Sequence, residues 1–417
     1  MFNQLFKDSS AVARHQFLPL AKEREQFLAD LAQQGYKQNT LLLTAPILLR
    51  AARLLERLGK STLGASEVQS AVDRFIREPC RDIRMKRWRD YEREALCRLL
   101  KQWLIFFGQW KKPALPSGPL WKLYRDFLKW LEEERGLSKG SLKNRRYSLL
   151  SFLRWWEEKK RSLSTLKIND LDDFLQSCHR RGLSRVGIRN AANAARSFLR
   201  YVEGHGLCRL GLADAFHGPT IYSQEGLPRG PLWSEVRDLL ARLDTHRRSD
   251  IRNRAILMLF AIYGMRRQEV VHLRLDDIDW RNDTITIDRS KQRRRQTYPL
   301  LPSVGQAILR YLENVRPKTT HREVFLRLLA PVRPMSSTAL WAVAAYSMDK
   351  AGVRAFPHRG PHSLRHACAR RLMSEGFSLT QVGDHLGHRS ADATRIYTKV
   401  DLAALREVAN FDLGEVL

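Results

Sequence analysis

Apolar positions recur at helical intervals through most of this chain, and a strand-like alternation is confined to one short stretch. Residues 23–31, 41–58 and 85–110 each carry apolar side chains three or four apart, the period that lines one face of a helix. Between residues 118 and 216 the same spacing returns on segments rich in cations. The pattern then changes: DTITID at 283–288 alternates polar and β-branched residues, a basic run follows, and QTYPLL at 296–301 completes the signal. This reads as a β-hairpin whose tip is the cationic segment SKQRRR, residues 290–295. The expected fold is therefore mainly α with a small β-hairpin or sheet.

Two Pro- and Gly-rich segments, KKPALPSGP at 111–119 and HGPTIYSQEGLPRGP at 217–231, divide the chain into blocks. These are a helical N-terminal region, 1–111, a helical block, 118–216, and a mixed α/β block, 226–417. The middle block repeats itself: RGLS stands at 135–138 and 181–184, and SFLR at 151–154 and 197–200, both at an offset of 46 residues. Each copy predicts a serine-capped start leading into a basic amphipathic helix, so the block reads as two similar helical hairpins. Lys143, Arg145 and Arg146 on one helix and Arg185, Arg189 and Arg196 on the other are candidate phosphate contacts; a solvated helix face is the alternative.

Charge sharpens that choice. At 417 residues the chain fits two or three domains, and Lys+Arg 73 against Asp+Glu 44 leaves it at +29. So one-sided an excess points to a polyanionic partner, nucleic acid most simply, an anionic membrane surface otherwise. The most apolar stretch, LLLTAPILLRAARLL from Leu41, is broken by Pro46, Arg50 and Arg53, and no basic n-region precedes an apolar run. Neither a membrane span nor a signal peptide is expected. Five scattered cysteines without a CxxC pair suggest no disulfide framework and no zinc knuckle, which fits a reducing, cytoplasmic setting.

Several short segments carry candidate chemistry. In YGMRRQEV (263–270), the glycine is expected to stop the apolar helix AILMLFAI and leave Arg266 at its end, with Glu269 within reach of a neighbouring cation. An ordinary Arg/Glu helix-face pair is the plainer reading. In HSLRH (362–366), His362 and Arg365 share a helix face and are able to converge on one anion. His366 completes a His-x-x-x-His spacing, but Ser363 stands where a zinc metalloprotease needs glutamate, so no metal is expected. In LGH (386–388), Gly387 is a candidate helix C-cap that leaves His388 at the start of a turn, nine residues before Tyr397. Lys291 sits at the hairpin tip, where Arg293, Arg294 and Arg295 are further phosphate-binding cations.

Taken together and in this order, YGMRRQE, SKQRRRQTYPL, HSLRH, LGH and RIYTKV resemble the tyrosine recombinase (phage integrase) family. The resemblance covers the third block almost completely, and the middle block looks like the family's helical core-binding domain. Met265 replaces the leucine common before the first arginine, and Ser290 and Gln292 replace the glycines that usually flank the lysine. The resemblance implies a helical core-binding domain followed by a mixed α/β catalytic domain, with the N-terminal helices as an addition. It implies Arg266, Lys291, His362, Arg365, His388 and Tyr397 as the catalytic set, with Glu269 in support and no cofactor. In that scheme Tyr397 attacks a phosphodiester and becomes joined to the 3′ phosphate, while Arg266 and Arg365 clamp the non-bridging oxygens and His388 adds a hydrogen bond. Lys291 is the candidate general acid, and His362 either assists proton transfer at the tyrosine or holds the phosphate.

The same resemblance implies double-stranded DNA bearing specific sites as the partner, four protomers, a Holliday junction intermediate and the integration, excision or transposition of a mobile element. It allows partner recombinases and, in a prokaryote, association with the nucleoid. An accessory DNA-binding relative that does not cut, or a type IB topoisomerase, are the alternatives. Residues 401–417 carry an apolar stripe suited to docking on a neighbouring protomer or on the same domain, and residues 85–110 suit a DNA contact, a protomer contact or core packing.

Overall fold

A computed structural model of the chain describes residues 1–59, 62–76, 83–111, 116–221, 230–289, 294–353 and 359–387. It divides into two compact units, residues 112–225 forming one and residues 1–111 together with 226–417 forming the other.

The smaller unit is built from α7 (Pro119–Glu133), α8 (Lys139–Glu158), α9 (Ile168–Arg180), α10 (Arg185–Gly204) and the short α11 (Leu212–Ala215). It follows six N-terminal helices: α1 (Phe2–Leu5), α2 (Ser9–Phe17), α3 (Ala21–Gln33), α4 (Gln38–Leu58), α5 (Ala65–Ile76) and α6 (Ile83–Phe106). The 46-residue repeat has a structural cause. Each RGLS separates two helices, and its serine caps the second: Ser138 accepts from the Ser141 amide at 3.3 Å and Ser184 from the Gly187 amide at 3.2 Å. Each SFLR then supplies two fully buried residues, Phe152 with Leu153 and Phe198 with Leu199. Phe152 meets Phe174 edge-on at 5.2 Å and Phe198 meets Phe127 at 5.4 Å, which ties both hairpins into one core.

In the larger unit the N-terminal helices bury Leu28, Leu48, Leu100 and Trp103 in a core of their own. The aromatic Trp103 of α6 is thus core, 2 % exposed, although the same helix leaves Ile105 and Phe106 on the surface. The carbonyl of Gln34, at the end of α3, accepts from the Val332 amide at 3.1 Å, so this block touches the later part of the chain directly.

The remainder comprises α12 (Trp233–Arg242), α13 (Arg248–Ile262), α14 (Arg267–His272), α15 (Pro302–Asn314), α16 (Ser337–Lys350), α17 (Pro361–Ser374) and α18 (Leu379–Leu386). A three-stranded antiparallel sheet, β1 (Ile278–Asp279), β2 (Thr284–Arg289) and β3 (Arg294–Pro299), lies between α14 and α15. Helix α13 is buried on every side from Ala255 to Ala261, which explains why its sequence is an unbroken apolar run rather than an amphipathic one. The strands pair Ile285 with Tyr298 and Ile287 with Gln296.

Candidate active site

The four last carbonyls of a helix have no partner within it, and at α18 side chains from elsewhere supply the donors. Gln296 of β3 donates to the Asp384 carbonyl at 2.9 Å. Arg289 of β2 and the Tyr298 hydroxyl of β3 both reach the His385 carbonyl, at 3.0 and 2.7 Å. Arg365 of α17 donates to the Leu386 carbonyl at 2.7 Å, and Arg266, just before α14, to the Gly387 carbonyl at 2.7 Å. Three consecutive carbonyls at the negative end of α18 are therefore each held by a different arginine.

Local sequence explains how those arginines arrive. Helix α13 ends at Ile262, and Gly264 turns the chain with φ +55°, so Arg266 emerges directly against Glu269 in the first turn of α14. The Arg266 amide donates to Glu269 Oε2 at 2.6 Å and its Nη1 to Oε1 at 2.9 Å, the reach-back contact that a glutamate at this helical position makes. The Arg266 side chain keeps 26 % of its surface exposed. Arg365 instead is enclosed at 2 % exposure and donates to the Gly264 carbonyl as well as to Leu386. Gly387 closes α18 in the left-handed region, φ 60°, as the sequence leads one to expect of a C-cap. A Cβ there would stand 2.9 Å from Arg289 Nε, so the guanidinium lies directly against the glycine backbone.

His362 is exposed on the first turn of α17, its ring 4.4 Å from that of His366. Lys291, Arg293, His388, Tyr397 and residues 401–417 lie outside the described residues, as does the side chain of Arg294.

Three residues beside the expected ones join the cluster: Arg289, Tyr298 and His385. Arg289 is wholly buried and bonds Glu269 Oε2 at 2.6 Å and the Tyr298 hydroxyl at 2.6 Å. Glu269 thereby bridges two guanidiniums. The sequence contained a signal for this, because TITIDR places Arg289 in phase with Ile285 and Ile287, on the face the strand buries. Burial pushes the Tyr298 phenol above its usual pKa against the opposing Arg289 charge. Burial also holds the His385 imidazole below its usual value; its Nε2 donates to the Ile262 carbonyl at 3.0 Å.

The basic helices of the smaller unit divide their cations. Lys143, Arg146 and Arg189 are exposed. Arg145 is half-buried where α8 packs on α10 and donates to the Asn193 carbonyl at 3.0 Å, and burial lowers its pKa. Arg185 holds the Thr220 carbonyl at 2.8 Å and Arg196 the Asn193 side chain at 3.1 Å. Arg295 of β3 pairs with Asp277 at 3.1 Å. Among the described residues no group of three or more His, Cys, Asp or Glu is placed to hold a metal ion, and no helix is long and apolar enough to cross a membrane.

The arginine-bound helix end thus stands beside a small sheet, in a unit other than the helical one that carries the exposed cations. Residues 233–403 match the phage integrase family, and residues 125–205 match its N-terminal SAM-like domain. The chain is 36 % identical over 284 residues to the putative integrase/recombinase y4rA of Sinorhizobium fredii, covering 67 % of this chain and 68 % of that protein. It is 31 % identical over 299 residues to the tyrosine recombinase XerD of Mycobacterium tuberculosis, covering 68 % and 94 %. Among solved structures, the XerH site-specific recombinase in a post-cleavage complex with palindromic difH substrate matches with a TM-score of 0.54 at 19 % identity, over 83 % of this chain and 96 % of that one. The Tn1549 transposon integrase in complex with circular intermediate DNA matches with a TM-score of 0.52 at 18 % identity, over 71 % and 100 %. The chain belongs to the phage integrase family, and with it to the tyrosine-type site-specific recombinases.

Proposed function

We propose that this recombinase cuts and rejoins double-stranded DNA at specific sites through a 3′-phosphotyrosyl bond to Tyr397. The observation that carries the reading is the delivery of Arg266 and Arg365, from separate helices, to the adjacent carbonyls of Gly387 and Leu386. That segment leads directly into His388 and, nine residues later, Tyr397. Planar guanidiniums suit the two non-bridging oxygens of a phosphate, where charge builds as the phenolic oxygen attacks. Glu269 holds Arg266 by its backbone and its side chain, so the clamp is oriented before substrate arrives. His388 adds a hydrogen bond to the phosphate, His362 serves the tyrosine proton or the phosphate, and Lys291 protonates the departing 5′ oxygen. The phosphotyrosyl bond preserves the energy of the broken linkage, so attack by another 5′ hydroxyl reseals the strand.

In this reading four protomers join two sites, exchange strands in pairs through a Holliday junction and serve the movement of a mobile element. The exposed cations Lys143, Arg146 and Arg189 contact the DNA backbone from the smaller unit. Binding then weakens steeply with salt, because each neutralised phosphate releases counterions.

The test is to mix the protein with DNA from its genomic neighbourhood, trap adducts that survive denaturation and sequence the attached ends. Wild-type protein gives adducts at a defined site, Tyr397→Phe binds the same DNA and gives none, and Arg266→Ala binds but gives very few. Equal adducts from wild type and Tyr397→Phe would remove Tyr397 from its role.

A further inference from the structure

We propose that Arg289 is a positioning residue of the strand-cleavage site, acting through Glu269 on Arg266 and through the end of α18 on the chain that enters His388. The inference rests on the recombinase reading above and adds a residue to it. A fully buried guanidinium is retained only when its charge is met, and here each of its amino groups meets a component of the site. Nη1 donates to Glu269 at 2.6 Å; Nη2 donates to the Tyr298 hydroxyl at 2.6 Å and the His385 carbonyl at 3.0 Å. Its Nε has no hydrogen-bond partner and lies against the backbone of Gly387, where there is room only for glycine.

The sharing of Glu269 gives this arrangement its consequence. Oε1 takes Arg266 Nη1, while Oε2 takes both the Arg266 amide and Arg289 Nη1. With two cations on one carboxylate, neither guanidinium is drawn wholly onto it. Removal of Arg289 leaves Glu269 to Arg266 alone, and the carboxylate then draws the Arg266 guanidinium toward itself and away from a phosphate. The same removal takes one of two donors from the His385 carbonyl and the surface on which Gly387 rests. Tyr298 keeps its own bond to that carbonyl, so the helix end is loosened rather than lost.

The experiment uses the full chain and a duplex carrying the site mapped by adduct sequencing, nicked beyond the scissile phosphate so that cleavage is trapped. One version carries a phosphodiester at the scissile position and the other a neutral methylphosphonate, which lacks one of the charged oxygens that Arg266 meets. Arg289→Met is expected to bind DNA within about threefold of wild type and to cleave the phosphodiester roughly 10–100-fold more slowly, the range for loss of a residue that orients a reacting group. On the methylphosphonate its deficit shrinks, in parallel with that of Arg266→Ala, and Arg289→Lys recovers part of the phosphodiester rate. If Arg289→Met does not fold, Arg289→Gln, which keeps a buried amide donor and leaves the Tyr298 bond to His385 in place, carries the same comparison. Cleavage by the folded variant at the wild-type rate, or an equal deficit on both substrates, overturns the proposal while the recombinase reading stands. No adduct from wild type overturns that reading, and this proposal falls with it.

Discussion

Gly264→Ala places one methyl group at the point where α13, α17 and α18 meet. The residue adopts φ +55°, and a left-handed alanine costs about 1–2 kcal/mol relative to glycine. Its Cβ would also fall inside contact distance of Leu386 Cδ2, with Arg365 Cγ and Cys368 Sγ each 3.6 Å away. Leu386 is fully buried, so overpacking adds about 1–3 kcal/mol. Alanine also restricts the unfolded chain, which offsets about 0.4–1 kcal/mol of the loss. The net destabilisation is about 1–4.6 kcal/mol, which for a unit of this size is a fall of roughly 2–7 °C in melting temperature. Displacement of Leu386 shifts the carbonyl that Arg365 holds, and Arg365 also holds the Gly264 carbonyl itself, so adduct formation falls even below the melting transition. Differential scanning calorimetry with the trapped-adduct assay measures both effects. Leu386→Ala opens space for the new methyl, and the pair is expected to couple by about 1–3 kcal/mol in a double-mutant cycle. A Gly264→Ala protein that melts and cleaves as wild type, or a cycle without coupling, would refute the reasoning.

Two further outcomes follow from single contacts. The folded pKa of His385 is lowered, by burial first, with the Ile262 carbonyl bond opposing and the Arg289 and Arg365 charges adding to the depression. Once unfolded it accepts a proton near its ordinary pKa of about 6.5, so the unfolded state binds more protons as pH falls below that value. The stabilisation is complete above the unfolded pKa and lost as pH falls through the folded one; urea midpoints of wild type should drop more between pH 7.5 and 5.5 than those of His385→Gln, and equal drops would remove His385 as the cause. Ser138→Ala and Ser184→Ala each delete one helix cap and are expected to weaken the first turns of α8 and α10 by about 1 kcal/mol, read as faster amide exchange confined to those turns.

The extent to which the sequence disclosed this site depended on the range over which each signal acts. RGLS and SFLR announced both hairpins of the smaller unit because caps and buried helix faces are local consequences of spacing. Gly387 was legible as a C-cap for the same reason. Arg145 was not legible as a packing residue: in sequence it resembles Lys143 and Arg146, and only the approach of α10 distinguishes it by giving it the Asn193 carbonyl. Arg289 was concealed by its company. It borders the cationic tip, residues 290–295, which draws the functional reading, although its own phase in the strand points inward. Strand phase, which acts on every residue of β2, outweighed side-chain type once Glu269 was present to meet the charge.

The two arginines that the sequence marks for phosphate binding are not equivalent in the folded chain. Both hold carbonyls at the end of α18, so each has a structural task before substrate arrives. Arg266 performs its task from a side chain that is 26 % exposed, while Arg365 performs its own almost entirely enclosed. On the proposed reading a phosphate meets Arg266 first, and engages Arg365 as the Gly264 and Leu386 carbonyls yield part of its guanidinium. On that reading binding and the placement of Gly387 are coupled by the exchange, because one of the two carbonyls that release Arg365, that of Leu386, immediately precedes Gly387. Loss of Arg365 leaves the Leu386 carbonyl without that donor and, on the proposed reading, removes a phosphate contact as well, whereas loss of Arg266 leaves the enclosed bonds of Arg365 to Gly264 and Leu386 intact. The stability cost should therefore be larger for Arg365→Ala than for Arg266→Ala, even where their losses of cleavage are alike.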